Sequence, residues 1–136
     1  MSQRDQKNAL RLIAAAAWAA LIAIVYATLT RVGFVYAIYF KLSPILMRPE
    51  MKVYALFEHV IAFAVLGALF SFAYPRHTIL VCVVVLGGAV LLEILQTLTP
   101  DRHGTVIDAL EKTAGGILGV VLTRCFLHFR AAAHRP

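Results

Sequence analysis

Between Leu12 and Leu29 the chain carries no charged residue, and Arg11 and Arg31 bracket the run. A bilayer core is crossed by about 20 mostly apolar residues, so the pattern predicts a spanning helix over about 10–30. Further apolar runs predict helices over about 54–74, stopping at Pro75, and about 78–98, stopping before Pro100. A fourth, over about 105–127, is the most polar, because Asp108, Glu111 and Lys112 fall in its first two turns. Its charge-free remainder, Thr113 to Thr123, is too short to span alone, so the polar start has to be housed among other helices. Arg4, Lys7 and Arg11 before the first run imitate a signal peptide. The run is too long for one, and no small-residue cleavage site follows, so the reading is a retained helix.

Pro75-Arg76-His77 and Thr99 to Gly104 are short connections, which make antiparallel partners. The last three helices therefore form an up-down-up set. Residues of about 33–50 differ in kind. Phe34, Tyr36, Tyr39 and Phe40 precede Ser43-Pro44 and Arg48-Pro49, an aromatic, Pro-broken stretch suited to lying in the interface. The expected fold class is an all-α membrane protein, with four transmembrane helices in an antiparallel bundle plus this interfacial segment. Residues 1–136 form a single membrane domain.

Composition agrees. Of the 136 residues, 61% are hydrophobic and 15% charged, too little polar surface to cover a water-facing globule. The net charge of +6 rides on an apolar body, which excludes a disordered chain and a nucleic-acid module. With the amino terminus inside, the inner flanks hold seven cations (Arg4, Lys7, Arg11, Arg76, Arg124, Arg130, Arg135). The outer flanks hold five (Arg31, Lys41, Arg48, Lys52, Arg102). The positive-inside rule then puts both termini in the cytoplasm. Cys82 and Cys125 lie toward the inner side and suggest no disulfide framework.

Charge inside a bilayer is costly enough that its position carries information. Glu58 and His59 lie near the outer end of the second helix, and Glu93 and Gln96 near the outer end of the third. Asp108, Glu111 and Lys112 open the fourth. Three helices thus place their polar residues at one depth, which defines one site. Glu93 follows a long apolar run, so it is expected to face the bundle with Arg102 or Lys112 as its cation. Thr105 and Asp108 form a capping box, a role that leaves Asp108 open to a ligand function as well. Glu111 reads as a headgroup-facing residue, His59 as a satisfied polar residue, and the Arg102 loop also suits a lipid phosphate. Small residues recur as Ala15, Ala19, Ala23 and Ala27 on the first helix and as Gly115 and Gly119 on the fourth. They suit close packing within the chain or, alternatively, a dimer face.

The run Glu93-x-x-Gln96-x-x-x-Pro100-x-Arg102, with Asp108, Gly115 and Gly119 following, resembles the signature of VanZ-like membrane proteins. His59-x-x-x-Phe63-x-x-Leu66-Gly67 is similar to that family's second-helix motif, and the likeness covers roughly Tyr54 to Leu122. Leu42-Ser43-Pro44 with Arg48-Pro49 is similar to a Gram-negative, alphaproteobacterial subgroup. The resemblance implies a bacterial envelope protein of four or five helices, from a family named for glycopeptide-resistance clusters and associated with teicoplanin. The sequence departs from the pattern at Lys112, where the family usually has Asn. It also departs at Ala55 and Leu56, where the family has Asp-Lys. A positive charge has in effect moved from the second helix to the fourth.

Three functions follow as expectations. In the first, a non-enzymatic inner-membrane protein binds a lipid headgroup, glycolipid or amphiphilic antibiotic in an outer-leaflet pocket. Arg102 and Lys112 engage phosphate or carboxylate there, Glu93, Gln96 and Asp108 orient them, and Glu58 and His59 lie at the same depth. In the second, an envelope-lipid enzyme uses the clustered carboxylates for acid-base chemistry. In the third, an accessory subunit packs against a larger membrane complex. The sequence shows no nucleophile with an adjacent base, no Walker motif and no Cys/His metal pattern, so neither metal nor cofactor is expected.

Overall fold

A computed structural model describes residues 2–30, 51–99 and 105–133, with the backbone alone for 51–57. The expected segment over about 33–50 and the Arg102 loop lie outside the described residues. Among the described residues there are four helices and no strand: α1 (Gln3–Leu29), α2 (Met51–Ala73), α3 (Thr78–Thr97) and α4 (Val106–Ala133). α1, α3 and α4 are long and apolar enough to cross a membrane. α2 has 23 residues, about 34 Å of helix, and its described apolar stretch, Glu58–Ala73, is shorter than a full span.

α1 begins seven residues before its expected start. Ser2 is its N-cap, with Oγ accepting from Arg4 N (3.2 Å) and Asp5 N (3.4 Å), while Asp5 Oδ2 accepts from Ser2 N at 3.1 Å. A capping box thus starts the helix in polar sequence, and Arg4, Lys7 and Arg11 ride on the same helix as the span. α4 likewise runs six residues past its expected end, through Arg130 to Ala133.

Phe63, Leu66, Phe70, Val81, Val85, Ala89, Leu92 and Val120, with Ala17 of α1, form the core. The short turn at Pro75-Arg76 reverses the chain between α2 and α3, and α3 and α4 are also antiparallel. The last helix therefore runs parallel to α2, and these two pack together most extensively. Glycines make that contact possible. A Cβ on Gly115 would strike the Val60 carbonyl oxygen and one on Gly119 the Ala64 carbonyl oxygen. One on Gly67 would lie 2.6 Å from the Gly116 oxygen. The small-residue pair Gly115/Gly119 thus joins helices within the chain, as expected for close packing.

The alanine stripe does not. Ala15, Ala19, Ala23 and Ala27 all lie on the exposed face of α1, and α1 packs instead through Ala17, Ala20, Leu21, Ile24 and Val25. Ala17 and Ala20 bring α1 close to the bundle, and Leu21, Ile24 and Val25 fill the space beside them. At the end of the bundle formed by the Pro75 turn, Trp18 Nε1 donates to Tyr74 Oη at 3.0 Å and its ring meets Phe70 edge-on at 5.2 Å. Arg124 donates to the carbonyl oxygens of Tyr74 and Pro75, closing the last turn of α2.

Candidate functional site

At the other end of the bundle, Glu93 comes from the last turns of α3 and is 6% exposed. Lys112, from the second turn of α4, is 2% exposed. Antiparallel packing brings them together. Lys112 Nζ donates to Glu93 Oε2 and to Gln96 Oε1, the latter at 3.1 Å. Gln96 Nε2 in turn donates to the Thr28 carbonyl oxygen of α1 at 3.4 Å, and Glu93 Oε1 accepts from Thr105 N at 2.8 Å. Three helices are tied at one level, and both Glu93 oxygens accept hydrogen bonds. A lone buried charge is very costly, whereas a paired and hydrogen-bonded one is tolerable.

Of the two expected cations, Lys112 pairs with Glu93, and Arg102 lies outside the described residues. The Lys112 ammonium is enclosed and donates to Glu93 and Gln96.

The expected capping box is half formed. Asp108 N donates to Thr105 Oγ1 at 3.0 Å, but the reciprocal donor, Thr105 N, goes to Glu93 of the neighbouring helix. The Asp108 carboxylate faces α2 instead. Its Oδ1 lies 3.8 Å from His59 Nδ1, and Glu111 Oε2 lies 3.2 Å from the same nitrogen. His59, Asp108 and Glu111 are all half-buried, while Glu58 is exposed beside them. Glu111 therefore faces a protein partner and not only headgroups, and His59 is satisfied by carboxylates rather than standing alone.

Sequence reasoning missed this trio as a unit, although a signal was there. Asp108, Glu111, Gly115 and Gly119 recur at steps of three and four, one stripe of α4. The glycines mark that stripe as the face toward α2, so the two acids above them face α2 as well. Steps of four from Lys112 lead to Gly116, which is set against Val85 and Leu86 of α3.

The arrangement has a closed floor, Glu93–Lys112–Gln96, and beside it a half-open rim of His59, Asp108, Glu111 and Glu58. The rim offers acceptors and an imidazole to whatever reaches that end. Apolar helices with polar side chains gathered at one end define a polytopic α-helical membrane protein. A VanZ/LLP1 family profile matches residues 9–127, most of the chain, and the protein belongs to that family. No curated protein and no solved structure matches it.

Proposed function

We propose that this is a multi-pass protein of the bacterial inner membrane, with both termini cytoplasmic. Its polar end, in the outer leaflet, binds the headgroup of an amphiphile: a lipid, a glycolipid or an amphiphilic antibiotic such as a lipid-tailed glycopeptide. The observation that supports this reading is the convergence of polar side chains from α2, α3 and α4 at a single end, half of them locked in a buried floor and half left partly open. With Lys112 enclosed, the described rim is rich in acceptors. Hydroxyl and ammonium groups of a headgroup suit it better than a bare phosphate. Lipid-facing apolar surface surrounds the site, with Leu110 and Ile107 of α4 both exposed beside Asp108 and Glu111. An acyl chain thus has a place to lie while its headgroup is held.

Native mass spectrometry of the protein in mild detergent tests the reading. The expected result is a co-purifying amphiphile, one per chain, that is weakened in His59→Gln and Glu111→Gln. A bare protein would sink the proposal, and a stoichiometric protein companion would replace it with the accessory-subunit reading.

A further inference from the structure

His59, Asp108 and Glu111 present one ring nitrogen and two carboxylate oxygens that all lie within 4.8 Å of one another. Two of the separations are 3.2 Å (His59 Nδ1 to Glu111 Oε2) and 3.8 Å (His59 Nδ1 to Asp108 Oδ1). A tetrahedral ion with bonds of about 2.0–2.2 Å holds its ligands roughly 3.3–3.6 Å apart. The two separations from His59 thus fall within a few tenths of an ångström of that spacing, and the third lies within 4.8 Å.

The scaffold is built to keep them there. Asp108 and Glu111 are three residues apart on one helix, and His59 comes from the helix packed parallel to it. The Gly115–Val60 contact lies one residue from His59 and one turn from Glu111, and it leaves no room for a Cβ, so the two backbones are held close beside the trio. The Thr105 hydroxyl accepts from Asp108 N–H, and Thr105 is itself held by Glu93, which fixes the start of α4. Charge points the same way. Lys112, next to Glu111 in sequence, is committed to Glu93 and Gln96. The Asp108 and Glu111 carboxylates therefore lie together with only the His59 imidazole against them among the described residues.

We infer that His59, Asp108 and Glu111 form a binding site for a divalent first-row transition ion of the zinc class. The donor set decides the class: Ca²⁺ and Mg²⁺ favour all-oxygen sites, whereas one imidazole with two carboxylates suits Zn²⁺, Fe²⁺ or Mn²⁺. Three protein ligands leave a position open toward the rim. An ion there turns a rim that favours hydroxyl and ammonium groups into one that takes an anionic oxygen. The site shares residues with the headgroup reading but does not depend on it, since it requires only the ion.

The test is titration of chelator-stripped protein in detergent with ZnCl₂ alone, followed calorimetrically. Co²⁺ is then added as a spectroscopic substitute. The expected result is one Zn²⁺ per chain, with affinity falling about tenfold or more in His59→Gln and in Asp108→Asn and unchanged in His77→Gln and His128→Gln. Co²⁺ should give visible d–d bands that His59→Gln abolishes. Stripped variants should melt at the wild-type temperature, and Zn²⁺ should raise that of the wild type alone. If His59→Gln misfolds, the half-exposed Asp108→Asn carries the comparison. Absence of stoichiometric Zn²⁺ binding overturns the inference, as does binding indifferent to both Asp108→Asn and His59→Gln. A co-purified amphiphile with no Zn²⁺ affinity would sink this site and leave the headgroup reading standing; the reverse result would do the opposite.

Discussion

Lys112 lies at 2% exposure, and its partners Glu93 and Gln96 make that burial possible. Removing only the charge of Glu93 leaves the ammonium with neutral amide acceptors and without the counter-charge it faces. Breaking a buried pair from one side costs about 3–5 kcal/mol. Glu93→Gln should therefore melt well below wild type in detergent. Glu93→Gln/Lys112→Gln should recover part of the loss, because paired residues are coupled. A double-mutant cycle by thermal denaturation measures the coupling, and strict additivity would mean that the two side chains do not act as a pair. At this scale much was legible. A charged residue at the end of a long apolar run has to face protein, and that logic identified Glu93 and nominated Lys112. The partners of Asp108 and Glu111 were not legible, because His59 is 52 residues from Glu111 and nothing local sets the register of α2 on α4.

Helices in a bilayer give no hydropathic hint of their packing face, since lipid and neighbouring helix are equally apolar. This is why the alanines of α1 and the glycines of α4 read alike as small-residue stripes, although only the glycines lie in a joint. Steric room separates the two cases. Gly115→Ala and Gly119→Ala should each lower the melting temperature by the equivalent of about 1–3 kcal/mol or more, since a backbone carbonyl cannot move aside as a side chain can. Gly88→Ala on α3, where an added Cβ meets nothing, should be neutral or stabilising by up to about 1 kcal/mol. Equal melting of all three variants would show that α2 and α4 are not joined along this seam. Helix number and the short turn after α2 were readable from the apolar runs and from Pro75. The start of α1 was missed because Ser2 and Asp5 cap it outside any apolar run.

Taken whole, the molecule is polar at both ends in opposite senses. Among the described residues, one end gathers Lys7, Arg76 and Arg124, and the other Glu58, Glu93, Asp108 and Glu111 around Lys112. Between them large apolar side chains point outward all round, Leu12, Ile22, Ile79, Leu91 and Leu122 among them, which suits lipid and not water. In the orientation proposed above, the cation bias sets the basic end toward the cytoplasm. A single cysteine at His103, with Cys82 and Cys125 replaced, should react with a membrane-impermeant thiol reagent in intact spheroplasts. Labelling only after lysis would invert the orientation and move the polar end to the cytoplasmic side.

The Glu93–Lys112 pair also constrains the order of assembly. A ribosome delivers Glu93 19 residues ahead of Lys112, and His59 waits 52 residues for Glu111. Until α4 arrives, the nascent protein holds an unneutralised acid in α3 and an unfilled glycine-width seam along α2. Three helices alone are therefore an intermediate that insertion machinery has to shelter. The final helix acts as a keystone: its entry neutralises the acid, fills the seam and completes the rim in a single step.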